Sequence, residues 1–370
     1  MDFKYYLPTR IVFGLDCIIK EKELLQELGG SALVVTGQSS ARLSGALDDI
    51  CKALDSLKIS YDVFAGVNPN PTFDNIRTGA TRARETRPDM IIGVGGGSPL
   101  DAAKAIALLA TNQVDVEDLF KGGLSRPALP VVAIPTTAGS GSEVTPYSIL
   151  TYDALQTKKS ISYPSIMPRV AFLDARYTMT LPRAVTADTA CDAFSHALEG
   201  YLSSRANPVS DTLAREAMQV LGKRLGQLAA GMEPDLEARE DLLYAALLAG
   251  MVIAQTATSV IHALGYPLTY FKGIPHGRAN AYLIEEFLHF NREHLRNWPK
   301  LDDILDFMQV NSIAELGDML RNLTGQPPKV TEEELARYAH LASQAKNVTN
   351  CPMVPSEVEL LVMLRNALLA

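Results

Sequence analysis

From residue 32 to residue 134 the chain alternates short β-branched runs with amphipathic stretches, and this rhythm constrains its fold more than any other feature. The runs at 32–36, 61–64, 90–94 and 131–134 read as strands, and the stretches at 44–57, 72–86 and 101–111 between them read as helices. Strands joined by helices run parallel, and a parallel sheet needs both faces covered. Such a sheet binds ligands beyond the carboxyl ends of its strands. After Leu181-Pro182 the pattern changes. The segments 186–203, 208–228, 236–263, 280–290, 304–308, 313–323, 332–344 and 356–369 all carry helical spacing, with few strand signals among them. The expected architecture is an α/β N-terminal domain built on a mainly parallel sheet, residues 1–180, and an all-α C-terminal domain, residues 181–370.

Composition narrows the class of protein. A chain of 370 residues, 47% of them hydrophobic, buries a full core without disulfides or a structural metal, so stability alone does not call for a metal site. Its 34 Lys+Arg against 42 Asp+Glu leave a net charge of −8 with no basic run, which argues against nucleic acid as a partner. Cys17, Cys51, Cys191 and Cys351 lie far apart with no C-x-x-C pair, which suits a reducing cytoplasm rather than a disulfide framework or a zinc ribbon. The opening residues lack the apolar core of a secretory signal. The stretch 242–271 contains no Asp, Glu, Lys or Arg, but Gln255, Thr256, Thr258, Ser259, His262, Gly265 and Pro267 interrupt it. It reads as a buried core helix leading into a functional turn, not as a membrane span.

Met90-Ile91-Ile92-Gly93-Val94-Gly95-Gly96-Gly97-Ser98-Pro99-Leu100-Asp101 is a buried strand, a glycine turn and a helix start. Consecutive glycines let the backbone approach a ligand closely, and Pro99 suits a first helical turn whose free N–H groups aim at an anion. A diphosphate is the natural guest, and a tight turn without a ligand is the competing explanation. The GxGxxG pattern is incomplete, because Ser98 stands where its third glycine would be; G-x-x-x-x-G-K-[ST] is absent, which disfavours phosphate-cleaving chemistry. A second loop, Pro135-Thr136-Thr137-Ala138-Gly139-Ser140-Gly141-Ser142-Glu143, follows another strand and is rich in small hydroxyl residues. Two such loops on one sheet point to a dinucleotide.

Asp192 and His196 stand four apart, so on a helix both project from one face. His262 falls near the end of the expected helix 236–263, and His276 follows in Gly273-Ile274-Pro275-His276-Gly277. Three imidazoles and one carboxylate suit a divalent transition metal with coordination positions left open. Taken singly, each histidine reads as an ordinary hydrogen-bonded core or turn residue rather than a ligand, and spacing does not join the pieces. His289, His294 and His340 sit in charge-rich helices and read as solvent-facing.

Taken together these motifs resemble the iron-containing (group III) alcohol dehydrogenase family. The similarity runs over nearly the whole chain, through Leu7-Pro8-Thr9-Arg10-Ile11-Val12-Phe13-Gly14, the segment from Gly95 to Asp101, the segment from Pro135 to Glu143, Asp192-Ala193-Phe194-Ser195-His196-Ala197-Leu198-Glu199 and Pro275-His276-Gly277. The resemblance implies a dinucleotide-binding N-terminal domain, a helical C-terminal domain and a metal in the cleft between them. It implies Asp192, His196, His262 and His276 as metal ligands, the pyrophosphate on Gly95, Gly96, Gly97 and Ser98, and Asp101 beside the nicotinamide end. Thr136, Thr137 and Ser140 would line the cofactor, and Lys158 looks like the family's lysine near the ribose. The family's metal is Fe²⁺, and the same ligands accept Zn²⁺ or other divalent ions. Family members often form dimers, and the apolar strand Arg10-Ile11-Val12-Phe13 suits either a homodimer edge or an intramolecular one.

Two departures refine the expectation. NAD-preferring relatives often carry an aspartate after the first strand, whereas here Gly37 is followed by Gln38, Ser39 and Ser40. Without that carboxylate nothing repels a 2′-phosphate, which favours NADP(H) over NAD(H). Four residues beyond His262, where alcohol-oxidising relatives often have another histidine, stands Tyr266, either a substrate-side group or a packed aromatic. The run Tyr266-Pro267-Leu268-Thr269 looks like that of members reducing small anionic aldehydes, such as phosphonoacetaldehyde and sulfoacetaldehyde reductases. The expected reaction is hydride transfer between a nicotinamide and a small aldehyde or alcohol. The alternatives are a lactaldehyde-, 1,3-propanediol- or glycerol-type dehydrogenase, a dehydroquinate-synthase-like lyase, and a non-catalytic nucleotide- or metal-binding protein. For the lyase only Lys272 and Arg278 supply basic charge near the ligands.

Overall fold

The β-branched runs form the sheet. The computed structural model describes residues 2–295 and 298–369. Strands β1 (Arg10–Phe13), β2 (Ser31–Gly37), β3 (Ser60–Val67), β4 (Met90–Gly95) and β5 (Val131–Pro135) precede a hairpin of β6 (Tyr147–Tyr152) and β7 (Thr157–Ser162); β8 (Val170–Leu173) follows. Six of them form one parallel sheet in the order β1-β8-β5-β4-β2-β3, while β6 and β7 pair antiparallel. The hairpin is absent from the sequence expectation, because Thr157–Ser162 is polar and half-exposed and lacks an apolar signal.

Alternation along the strands divides the core. Val34 of β2 and Ile92 of β4 pack with Ile50 and Leu54 of a helix at Ala46–Leu57, while Leu33, Val35 and Ile91 pack with Ile76 and Ile106 on the other face. The helices of this unit are α1 (Cys17–Lys20), α2 (Ser40–Leu43), α3 (Ala46–Leu57), α4 (Phe73–Thr86) and α5 (Gly97–Thr111). β2 leads to β3 on one side of the sheet, and β4 leads to β5 on the other. The carboxyl ends of β2 and β4 therefore flank a topological switch point, the usual ligand crevice of such sheets. Helix α5 begins at Gly97, four residues before the expected start at 101, because its first turn runs through the glycine–proline segment that propensity scores as a loop.

The chain from Pro182 onward is helical: α6 (Arg183–Tyr201), α7 (Pro208–Ala229), α8 (Leu236–Thr256), α9 (Val260–Lys272), α10 (His276–His294), α11 (Pro299–Phe307), α12 (Ile313–Thr324), α13 (Glu332–Ser343) and α14 (Glu357–Leu369). Starts are set by caps: Asn207 before α7 and Thr331 before α13 each form a reciprocal capping box. Helix α6 is buried almost all round from Thr186 to Tyr201, which places it at the centre of this unit.

The expected single helix 236–263 is in fact two. The chain turns by 110° between α8 and α9, and Ala257 takes φ 58° and ψ −179°, a conformation nearly restricted to glycine that costs an alanine about 1–3 kcal/mol. Neither glycine nor proline marks this break, so apolar periodicity runs straight through it. His262 consequently lies in the first turn of a new helix rather than at the end of a long one. Likewise α10 starts at His276, not at 280, which puts His276 at a helix N-terminus instead of in a loop. Among the described residues no single helix is long and apolar enough to cross a membrane, and the bent α8–α9 pair reaches that length only jointly.

Contacts divide the chain into two units, one of Leu7–Thr137 with Gly141–Leu181 and one of Met1–Tyr6, Ala138–Ser140 and Pro182–Ala370. Ala138, Gly139 and Ser140 of the second polar loop thus cluster with the helices.

Candidate metal centre and cofactor loop

In the helical unit, Asp192 and His196 occupy one face of α6, and His262 enters from the first turn of α9. One donor atom from each lies within 4.8 Å of the others. The His196 and His262 rings stack with centroids 4.6 Å apart. His276 joins from the start of α10, with Nε2 3.9 Å from Asp192 Oδ1 and its ring 5.1 Å from that of His262. The close approach of α10 to α6 depends on Gly277, where a Cβ would overlap the backbone carbonyl of Asp188. Burial pushes the His196 imidazole down to about 4, with His262 adding to the effect and Asp192 opposing it. It is therefore neutral near pH 7, the form that binds metal. A buried carboxylate beside a neutral His196 and two further imidazoles fits a divalent transition ion.

Two residues around this cluster escape sequence reasoning. Glu199, fully buried on α6, accepts from His262 Nδ1 at 2.5 Å through Oε2, and from the Ile261 N–H at 2.6 Å and Ser259 Oγ at 3.1 Å through Oε1. Burial pushes its carboxyl up, but the neighbouring His262 and the hydrogen bonds outweigh this and hold it below the usual range. Asn280 of α10 donates from Nδ2 to Asp192 Oδ1 at 3.0 Å, with His262 Nε2 at 3.3 Å and His276 Nε2 at 3.4 Å from the same nitrogen. Gly265 leaves room for its carboxamide. The available signals were Glu199's place seven residues after Asp192 and Asn280's place four after His276, each on a ligand-bearing face.

Lys272 and Arg278, the basic residues near the ligands, are both engaged. Arg278 donates to both oxygens of Asp188, at 2.8 and 3.1 Å, and Lys272 pairs with Glu334 at 2.7 Å. Arg278 thus forms a half-buried ion pair. Tyr266 stacks on His276, with centroids 5.2 Å apart and planes 11° apart. His289, His294 and His340 are exposed.

In the α/β unit, Gly95 has φ +147°, and a Cβ there would come within 2.6 Å of Pro99. Gly96 passes Thr137 so closely that a Cβ would lie 3.2 Å from it. Helix α5 has no side-chain N-cap, which leaves its first N–H groups for a ligand. Ser98 Oγ accepts from the Asn70 N–H at 3.1 Å. The Thr36 and Thr136 hydroxyls are buried and have no hydrogen-bond partner among the described residues. Thr36 pairs in register with Val94, and the Thr136 N–H donates to Gly95 O at 2.9 Å, so the two orphaned hydroxyls flank the glycine turn. An uncapped helix start, a glycine cradle and unpartnered hydroxyls fit a pyrophosphate. Gly37 closes β2, Ser39 and Ser40 begin α2, and a Cβ at Gly37 would make only ordinary contacts.

Asp101 is held by hydrogen bonds on both carboxylate oxygens. Its carboxylate accepts from Ser142 Oγ at 2.6 Å and from the Ile149 N–H at 2.9 Å, while the fully buried Lys104 donates to Ser142 Oγ and to Tyr147 O, both at 2.8 Å. Burial raises the Asp101 carboxyl, opposed by Lys104, the hydrogen bonds and the charge of Lys158 on β7. Asp101 and Lys104 tie α5 to the second polar loop at Ser142 and to β6 at Tyr147 and Ile149.

A parallel nucleotide-binding unit followed by helices carrying a buried Asp/His cluster defines the architecture of a metal-dependent dehydrogenase. Residues 8–175 match the family described as iron-containing alcohol dehydrogenase, and residues 186–368 match the C-terminal part of the Fe-containing alcohol dehydrogenase family. The chain belongs to the iron-containing alcohol dehydrogenase family, and it is an oxidoreductase of the alcohol dehydrogenase and aldehyde reductase type. It is 37% identical to 1,3-propanediol dehydrogenase of Klebsiella pneumoniae over 84% of this chain and 80% of that one. Among solved structures, the iron-containing alcohol dehydrogenase of Thermotoga maritima superimposes with a TM-score of 0.93 at 41% identity, covering 100% of both chains. Sulfoacetaldehyde reductase of Bifidobacterium kashiwanohense, solved in complex with NAD+, superimposes with a TM-score of 0.86 at 28% identity, covering 99% of both chains.

Proposed function

We propose that this enzyme transfers hydride reversibly between NADP(H) and a small aldehyde, with Fe²⁺ held by Asp192, His196, His262 and His276. The observation that carries the reading is the convergence of three buried donors within 4.8 Å, in a chain that also carries an uncapped glycine cradle. When bound, the metal polarises a carbonyl oxygen and offsets the negative charge that hydride arrival places on it. The chain's own contribution is positional. Gly95, Gly96, Gly97 and Ser98 present backbone to the pyrophosphate, with Thr136, Thr137, Ser140 and Lys158 as further cofactor contacts, and the Asp101–Ser142–Lys104 bonds hold the loops in place. Tyr266 shapes the substrate side against His276. The absence of a carboxylate at Gly37, Ser39 and Ser40 supports NADP(H), with NAD(H) the alternative. Free cysteines, three of them buried, support a cytoplasmic location.

The resemblance around Tyr266 supports an anionic aldehyde such as phosphono- or sulfoacetaldehyde. A neutral short aldehyde or diol is the second reading, favoured because Arg278 and Lys272 are already paired with acidic partners. Anaerobic oxidation of NADPH and NADH, followed with neutral, phosphonate-, sulfonate- and carboxylate-bearing short aldehydes, tests both. Metal-stripped protein is expected to be inactive and Fe²⁺ to restore turnover. Full activity without metal would end the reading, and equal turnover of neutral and anionic substrates would remove the anionic subclass.

A further inference from the structure

Glu199 stands outside the donor cluster, yet one carboxylate there serves two demands that no neutral side chain meets together. Oε1 caps the start of α9, accepting from the Ile261 N–H and Ser259 Oγ just beyond the sharp break at Ala257. Oε2 accepts from His262 Nδ1, the ring nitrogen facing away from Asp192, while His262 Nε2 lies 3.7 Å from Asp192 Oδ1. A carboxylate is an acceptor at both oxygens, so it requires the neutral His262 ring to carry its proton on Nδ1. That leaves the Nε2 lone pair facing the cluster.

We propose that Glu199 is a positioning residue that sets the tautomer of His262, and thereby makes its Nε2 available to the metal. This rests on the reading of His262 as a ligand. Glutamine at 199 has nearly the same shape but only one acceptor. With its oxygen on the Ile261 N–H, the α9 cap is preserved and its NH₂ faces His262 Nδ1, which drives the ring proton to Nε2 and into the metal position. Partners that orient metal-bound histidines in this way typically change affinity by about 10–100-fold when removed.

The test uses the full chain, stripped of metal and titrated with Zn²⁺ against a chromophoric chelator, with His262→Ala, Glu199→Gln and Glu199→Asp. Glu199→Gln is expected to bind Zn²⁺ about 10–100-fold more weakly, with Glu199→Asp recovering part of the loss. Selective ¹⁵N-histidine spectra of the metal-free protein, recorded at alkaline pH where the His262 ring is neutral and with His262 assigned by difference against His262→Ala, are expected to show Nδ1–H in the wild type and Nε2–H in Glu199→Gln. Wild-type affinity and an unchanged tautomer in Glu199→Gln, while His262→Ala loses Zn²⁺, would overturn the role of Glu199 alone. Zn²⁺ affinity undiminished by His262→Ala would instead overturn the ligand reading beneath it. If Glu199→Gln does not fold, the wild-type spectrum still decides, since a neutral His262 carrying its proton on Nε2 contradicts the proposal.

Discussion

The Tyr266 ring lies flat on that of His276, 5.2 Å centroid to centroid, while meeting His262 edge-on at 6.3 Å. It therefore braces two candidate ligands with its face and edge. Tyr266→Ala is expected to lower kcat/KM by roughly 3–10-fold, the worth of about 0.5–1.5 kcal/mol of ring contact. Tyr266→Phe keeps the ring and is expected to stay within about threefold of wild type. A large kcat loss in Tyr266→Phe, measured at saturating aldehyde, would assign the hydroxyl a direct role instead.

Cofactor preference is testable at Gly37. A Cβ there meets nothing nearer than Val67 O at 3.6 Å, and the backbone is not in the left-handed region, so Gly37→Asp is sterically tolerated. The new carboxylate repels a 2′-phosphate and accepts from a ribose 2′-OH. The ratio of kcat/KM for NADPH over NADH is expected to fall by about 10–100-fold. An unchanged ratio would place specificity elsewhere in the loop.

Gly277 is where α10 meets α6. Gly277→Ala drives a methyl into the Asp188 carbonyl and toward Asp192 Cβ. Backbone on the far side cannot rotate away, so a cost of about 1–3 kcal/mol is expected, read as a Tm lowered by several degrees. Metal content after Fe²⁺ loading should fall as well, because His276 moves with the helix. A variant matching wild type in both measurements would show that the helices part without consequence.

Glu143 gives a pH signature. Burial raises its carboxyl from 4.5 to about 7, opposed by its own backbone N–H and by Lys104. Between these values the folded protein holds a proton that the unfolded chain has lost. Its contribution is therefore fully present below pH 4.5 and lost as pH rises to about 7. Glu143→Gln cannot ionise, so its stability relative to wild type should increase across that window, by up to about 3 kcal/mol. Lys104 acts on both Glu143 and Asp101 and, pushed down to about 8 by burial, titrates above that window. Parallel urea-denaturation curves for the two proteins from pH 4.5 to pH 7 would contradict the assignment.

The chain's own order of residues determined the class of fold and the short list of site residues. Strand and helix periods are local properties, so adjacent positions alone send Leu33 and Val34 to opposite sheet faces, and the glycine turn at 95–97 announces a close backbone approach wherever it sits. Asp192 and His196 share a helical face by spacing alone. What tertiary structure decided was direction and partnership. Apolar periodicity reports which face is buried but not whether the axis bends, so the 110° turn at Ala257 that delivers His262 into the cluster was invisible. Partners lie far along the chain: Glu199 meets His262 across 63 positions, and Asp188 meets Arg278 across 90. No local spacing encodes which carboxylate a cation or an imidazole finds, because that choice is made by packing. Packing makes Arg278 half of an ion pair with Asp188, and gives Asp101 its acceptor bonds to Ser142 and Ile149.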